Sequence, residues 1–340
     1  MYDEFYGLSG KPFQLTPDQR FFFDSKSHHR ALAYLRYGLE QGEGFIVITG
    51  GIGAGKTMLV QALFAELASC NVMAAKLVTT QVDPDDMLRM VCASFGLVHE
   101  GLNKATLLHN FEVVARSRFA EGKRILLVVD EAQNLPARSL EELRMLANFQ
   151  VEGRSLFQSF LLGQPELRKT LQLPTMEQLR QRIVAAYHLE PLTHDETRAY
   201  IEYRLGRVDW KGCPEMQSDI FTKIFELTGG VPRCINTLCD RLMLYGCIEA
   251  KNSLTAADVS LVSAEMQDEV GGYADRDLAG GRLSPLSDDT AGDPNPDLAA
   301  RLASLEAEVS RLRSTVQHER KLLRKAVLMQ LDLDAYDEFE

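Results

Sequence analysis

A short apolar run, Phe45-Ile46-Val47-Ile48-Thr49, leads directly into Gly50-Gly51-Ile52-Gly53-Ala54-Gly55-Lys56-Thr57. An apolar helical repeat (Met58, Leu59, Leu63, Leu67) begins at once after it. Few stretches of sequence restrict a fold more. The order requires a strand that ends at the edge of a sheet and a helix that starts there. The G-x-x-x-x-G-K-T spacing is that of a phosphate-binding loop. Glycines let main-chain N–H groups curl around an anion, and the following helix turns its positive dipole end toward it. Residues Gly50, Gly51, Ile52, Gly53, Ala54, Gly55, Lys56, Thr57 and Met58 are therefore expected to cradle the phosphates of a nucleoside triphosphate. Lys56 is expected to reach the β- and γ-phosphates, and the Thr57 hydroxyl to ligate Mg²⁺.

The rest of the chain supplies the sheet that this loop needs. A second apolar strand is expected over Met73–Val78, with helices from about Pro84 to Phe95 and from about Lys104 to Phe119. The run Ile125-Leu126-Leu127-Val128-Val129 reads as a buried strand ending in Asp130-Glu131, before a helix around Leu140–Leu146. A further strand, Phe157–Leu162, ends at Gly163-Gln164-Pro165-Glu166. Strands alternating with helices predict an α/β domain, a parallel sheet covered on both faces, over residues 27–190. Ahead of it, Ser27 is expected to cap a helix ending at Gly42. The aromatic segment 1–26 cannot form a core alone and is expected to pack on the core of that α/β domain.

After Pro191 the pattern is helical only. Thr193 and Glu196 form a capping box, Pro232 opens a helix where its missing N–H costs nothing, and Thr255 caps a last helix running to about Gln267. These predict a small all-α lid over 191–268, then a Gly/Asp/Pro/Ser-rich linker over 269–297. Leu298, Leu302, Leu305, Val309, Leu312 and Val316 space as heptads, so 298–330 reads as a coiled-coil helix that self-associates or docks, followed by an acidic tail over 331–340.

Phosphoryl transfer needs metal, positive charge and an oriented water more than covalent help. Asp130, at a strand end beside the loop, suits Mg²⁺, and Glu131 suits the general base. The plainer alternative is that both cap the next helix. Gln164 closes the next strand and can sit between the γ-phosphate and the water, or can merely form a turn. Arg180 and Arg182, just before the lid, are candidates for a finger acting in a neighbouring subunit, against a surface ion pair. Arg233 begins a lid helix and is placed to feel the γ-phosphate.

The net charge of −11 argues against a broad polyanion-binding face, so no strong nucleic-acid signal is present. The six cysteines make no C-x-x-C pair and read as reduced core thiols. No basic leader and no apolar run of about 18 residues appears, so no transmembrane segment is expected, and a cytoplasmic protein is.

Taken together, phosphate loop, Asp130-Glu131, polar strand end, arginine segment and Gly229-Gly230-Val231-Pro232-Arg233 resemble an AAA+ ATPase. More narrowly, Lys11-Pro12-Phe13 with Pro17-Asp18, Asp130 to Leu135, Leu161 to Leu167 and Leu179 to Ile183 resemble the general secretion pathway protein A group. Tyr187 to Leu192 and Tyr200 to Leu205 look like the subgroup tied to exosortase (PEP-CTERM) and exopolysaccharide export loci. The resemblance implies Mg²⁺-dependent ATP hydrolysis and a homo-oligomer with sites between subunits. It also implies partners in an envelope export system, with peripheral attachment to the inner membrane through them. The group's usual transmembrane helix and periplasmic part are not found. Two other readings are a DNA-binding AAA+ protein of the transposition-targeting type and a slow nucleotide-gated signalling switch.

Overall fold

Five strands share one parallel sheet, and the computed structural model describes the chain over residues 1–67, 71–78 and 84–275. The chain opens with α1 (Tyr2–Tyr6), a 3₁₀ turn over Gln19–Phe21 and α2 (Lys26–Gln41). Then follow β1 (Phe45–Gly50), α3 (Lys56–Leu67), β2 (Val72–Val78), α4 (Pro84–Ser94), α5 (Lys104–Ala120) and β3 (Arg124–Asp130). After a 3₁₀ turn over Ala132–Asn134 come α6 (Ala137–Leu146), β4 (Gln150–Val151), β5 (Arg154–Ser155), β6 (Phe157–Gly163), α7 (Glu166–Leu171), α8 (Glu177–Arg180) and β7 (Ile183–Leu189). The helical part comprises α9 (His194–Gly206), β8 (Glu215–Met216), α10 (Ser218–Thr228), α11 (Pro232–Ile248), β9 (Ser253–Leu254) and α12 (Ala256–Asp275).

The sheet order is β2-β3-β6-β1-β7, with every neighbouring pair parallel. Alternate side chains explain its two covered faces. Phe45, Val47, Leu127, Val129 and Leu161 pack under α4, α5 and α6, whereas Ile46, Ile48, Val128, Phe160 and Leu162 pack under α2 and α3. Because β1 lies between β6 and β7 while β3 lies beyond β6, the carboxyl ends of β1, β3 and β6 stand side by side. This is the edge at which open α/β sheets bind ligands.

Several expectations need correction. Ser25, not Ser27, caps α2, its hydroxyl accepting from the His28 N–H at 3.2 Å. The Ser27 hydroxyl instead accepts from the Glu190 N–H at 2.9 Å. Most aromatics of the first segment do not join the core of the parallel sheet: Tyr2, Tyr6, Phe13 and Phe21 are buried with Ile201, Leu205, Ile235 and Met243 of the helical part. Phe22 alone of them packs on the face under α2 and α3. Strand β7 and the β4–β5 hairpin, turned by Glu152 and Gly153 at positive φ, add to the expected elements. Cys92 and Cys239 are buried, but Cys234 is exposed. Helix α12 continues to Asp275, past the expected end at Gln267. The linker after 275, the heptads of 298–330 and the acidic tail of 331–340 lie outside the described residues. Among the described residues, no helix is long and apolar enough to cross a membrane.

Candidate nucleotide site

The phosphate loop between β1 and α3 is shaped by two glycines at positive φ, Gly53 at 77° and Gly55 at 95°. Neither could carry a side chain. A Cβ on Gly53 would lie 2.5 Å from Arg233 Cβ, and one on Gly55 would lie 2.6 Å from His28 Nε2. The loop is thus clasped from the lid side and from the α2 side. His28 is itself fixed, its Nδ1 paired with Ser25 Oγ at 2.8 Å, and burial pushes its imidazole below the ordinary 6.5 against an opposing hydrogen bond at the Ala54 main chain.

Lys56 opens α3, is 6 % exposed, and donates to Gly50 O at 2.8 Å and Gly51 O at 2.9 Å. Burial lowers its pKa, and the charges of Glu131, Asp130 and Glu166 oppose that. A buried ammonium held by two carbonyls of its own loop, facing a cradle made by glycine, fits a polyphosphate. Asp130 ends β3 almost fully buried, and Lys76 of β2 pairs with it at 3.0 Å. A lysine inside an otherwise apolar strand was the sequence signal for that pair.

Glu131 follows in the left-handed region, φ 57°, which costs a residue with a side chain about 1–2 kcal/mol. Its carboxylate Oε2 accepts from Gln133 Nε2 at 2.6 Å and from Gln164 Nε2 at 3.3 Å. The Gln164 N–H in turn donates to Gln133 Oε1 at 2.9 Å. Sequence reasoning missed Gln133 and His28 as site residues, since an amide in a turn and a histidine on a helix carry no spacing signature.

Lys56, Thr57, Glu131, Gln164 and Arg233 line one cavity of about 320 Å³. Arg233 touches the loop directly, its N–H donating to Gly53 O at 3.2 Å. The cavity also runs between Leu15, Pro17 and Phe22 of the first segment and Leu192 and Tyr200 of the lid, a slot with apolar walls at which Gln14, Asp18, Arg204 and Asn236 supply polar groups. The chemistry of the set fits a Mg²⁺-nucleotide: Thr57 and Asp130 offer hard oxygen donors, and Lys56 and Arg233 supply positive charge. Arg180 and Arg182 are not brought there. Arg180 donates to Leu171 O and Leu173 O, both at 2.9 Å. Arg182 donates to Ala147 O at 2.8 Å and to Asn148 Oδ1 at 2.6 Å, beside the amino end of β1.

The sheet order, the loop and the helical lid define a P-loop fold of the AAA+ type. Residues 39–171 match the family model described as AAA domain. The chain is 36% identical over 271 residues to general secretion pathway protein A of Aeromonas hydrophila, across 78% of this chain. It spans about half of that curated relative, 48% of its length. Among solved structures, Cdc6p from Pyrobaculum aerophilum superposes with a TM-score of 0.61 at 15% identity, covering 76% of this chain and 71% of that one. The Aeropyrum pernix ORC1 protein, solved in complex with DNA, gives 0.55 at 16% identity over 80% and 74%. At such identities the likeness is one of fold.

Proposed function

We propose that this chain binds ATP with Mg²⁺ between the phosphate loop and the lid and hydrolyses it. The observation that carries this reading is the convergence of Lys56, Thr57, Glu131, Gln164 and Arg233 on one cavity. Thr57 and Asp130 would hold the metal, which when bound neutralises charge on the phosphates. The Glu131 carboxylate takes the proton of the attacking water, Gln164 orients that water, and the bond from the terminal phosphorus to the ADP oxygen breaks. Lys56 and Arg233 hold the charge that develops on the phosphate oxygens. The apolar slot by Phe22 and Tyr200 receives the base.

Since Arg180 and Arg182 point away from their own cavity, a role in the chemistry has to be exerted on a second copy of the chain, with sites between subunits. The likeness to the Aeromonas secretion protein and the motifs over 187–205 support service to an envelope export system, on the exosortase and exopolysaccharide branch, from the cytoplasmic side.

Phosphate release and fluorescent-nucleotide binding, measured on the wild type, Glu131→Gln and Lys56→Met, test the reading. Glu131→Gln should retain binding and lose turnover by about 10²-fold or more. Lys56→Met should lose binding. A wild type without turnover, or a Glu131→Gln protein at the wild-type rate, overturns it.

A further inference from the structure

We infer that Gln133 is the positioning residue of the hydrolytic site, holding the Glu131 carboxylate and the end of β6 in one fixed relation. This rests on the reading of Glu131 as base. Three contacts carry it. Gln133 Nε2 donates to Glu131 Oε2 at 2.6 Å, and Gln133 Oε1 accepts from the Gln164 N–H at 2.9 Å. The Gln164 side chain then meets the same Glu131 oxygen at 3.3 Å. One amide thus uses both its ends, a donor on the base and an acceptor under the residue that faces the water.

The backbone is built to allow this bridge. Gly163 closes β6, and a Cβ there would come 3.0 Å from Gln133 Oε1 and 3.2 Å from Gln133 N, so the strand end approaches the turn over Ala132–Asn134 because it has no side chain. A glutamate has three side-chain torsions, and a carboxylate left to explore them spends little of its time where a water can be deprotonated. The paired amide removes that freedom without placing a counter-charge on the carboxylate. A lysine or arginine in the same place would compete with the water's proton for the same oxygen.

Two substitutions separate this role from a merely structural one. Gln133→Glu keeps an oxygen to accept the Gln164 N–H but loses the donor to Glu131. Gln133→Met keeps the length and loses both bonds. We expect each to lower kcat by on the order of 10²-fold while the ATP dissociation constant stays within about twofold of the wild type. Placed in a Glu131→Gln background, Gln133→Met should cost far less than the roughly 10²-fold it costs in the wild type, since most of its effect passes through Glu131. Melting curves identify a variant that fails to fold, in which case the other variant decides. Wild-type kcat in Gln133→Glu, or a further large loss from Gln133→Met in the Glu131→Gln background, overturns the inference. An inactive wild type would instead remove the underlying reading of Glu131.

Discussion

Alanine in place of Gly53 tests how tightly the lid closes on the phosphate loop. Gly53 has φ 77°, a conformation that costs alanine about 1–2 kcal/mol. Its new methyl would stand 2.5 Å from Arg233 Cβ and 3.3 Å from Val231 Cγ1, where carbon atoms prefer about 3.5–4.0 Å. Arg233 Cβ sits at the root of a side chain and cannot swing aside, so the start of α11 has to retreat by about an ångström. Overpacking of this kind costs about 1–3 kcal/mol. Retreat also stretches the bond from the Arg233 N–H to Gly53 O, worth about 1 kcal/mol. The total is about 3–6 kcal/mol, and at roughly 2–4 °C per kcal/mol the melting temperature should fall by about 6–24 °C. Gly51 is the control, because a Cβ there meets nothing within 4 Å and its φ is not positive. Gly51→Ala should melt within about 0.5 kcal/mol of the wild type. Thermal melts of both variants, with and without nucleotide, read the difference. If the two melt together, the clasp between Arg233 and the loop is not as close as described.

Two further expectations concern the loop's other support and the arginine segment. Burial holds His28 below 6.5, so between 6.5 and its folded value the unfolded chain binds the extra proton and the folded chain does not. Its contribution to stability is complete above pH 6.5 and is lost as pH falls toward the folded value. Melting temperature should therefore drop between about pH 7.5 and about pH 5.5 more steeply in the wild type than in His28→Gln, and equal slopes would remove this assignment. Arg182→Ala should leave nucleotide binding intact and lower turnover by about 10³-fold at protein concentrations where the chain assembles. Full turnover under those conditions rules out the finger.

The parts of this molecule that were legible in sequence are those fixed by local chemistry. Glycines at 53 and 55 and the lysine at 56 have no cheaper explanation than a loop around phosphate, and β3 is readable because both its faces are buried, which makes its residues a continuous apolar run. Strand β7 was not readable. It lies at the sheet edge, where Val184 and Ala186 are exposed and Ile183 and Ala185 half-buried, so the burial alternates while the residues Ile183 to Ala186 are all apolar and show no alternation in sequence. Serines at 25 and 27 can each cap a helix, and the choice is made by His28, whose ring and N–H both meet Ser25. Lys76 pairs with an aspartate on another strand and Gln133 reaches Gln164 at the end of β6, and spacing within their own segments marks neither of these cross-strand contacts.

The capping box illustrates how a local signal acquires a tertiary duty. Thr193 and Glu196 cap α9 as the sequence implies, with Glu196 Oε2 accepting from the Thr193 N–H at 3.0 Å. The other oxygen of Glu196 accepts from the Lys26 N–H at 2.9 Å, so one carboxylate holds the first turns of α9 and α2 together. Partial positive charge at both helix starts makes that sharing favourable, and burial, which alone would raise the Glu196 pKa, is outweighed by these bonds. Ser27 adds a second tie through Glu190. Arg204 fastens the first segment to the lid: its guanidinium lies over the Phe21 ring at 4.7 Å, and it donates to Tyr200 Oη at 2.8 Å. The lid meets α2 at the contact of Glu196 with Lys26 and meets the phosphate loop at the contact of Arg233 with Gly53. In the proposed reaction, gain or loss of a phosphate acts on the lid at the contact of Arg233 with Gly53, while the bond from the Lys26 N–H to Glu196 holds the start of α9 to the start of α2.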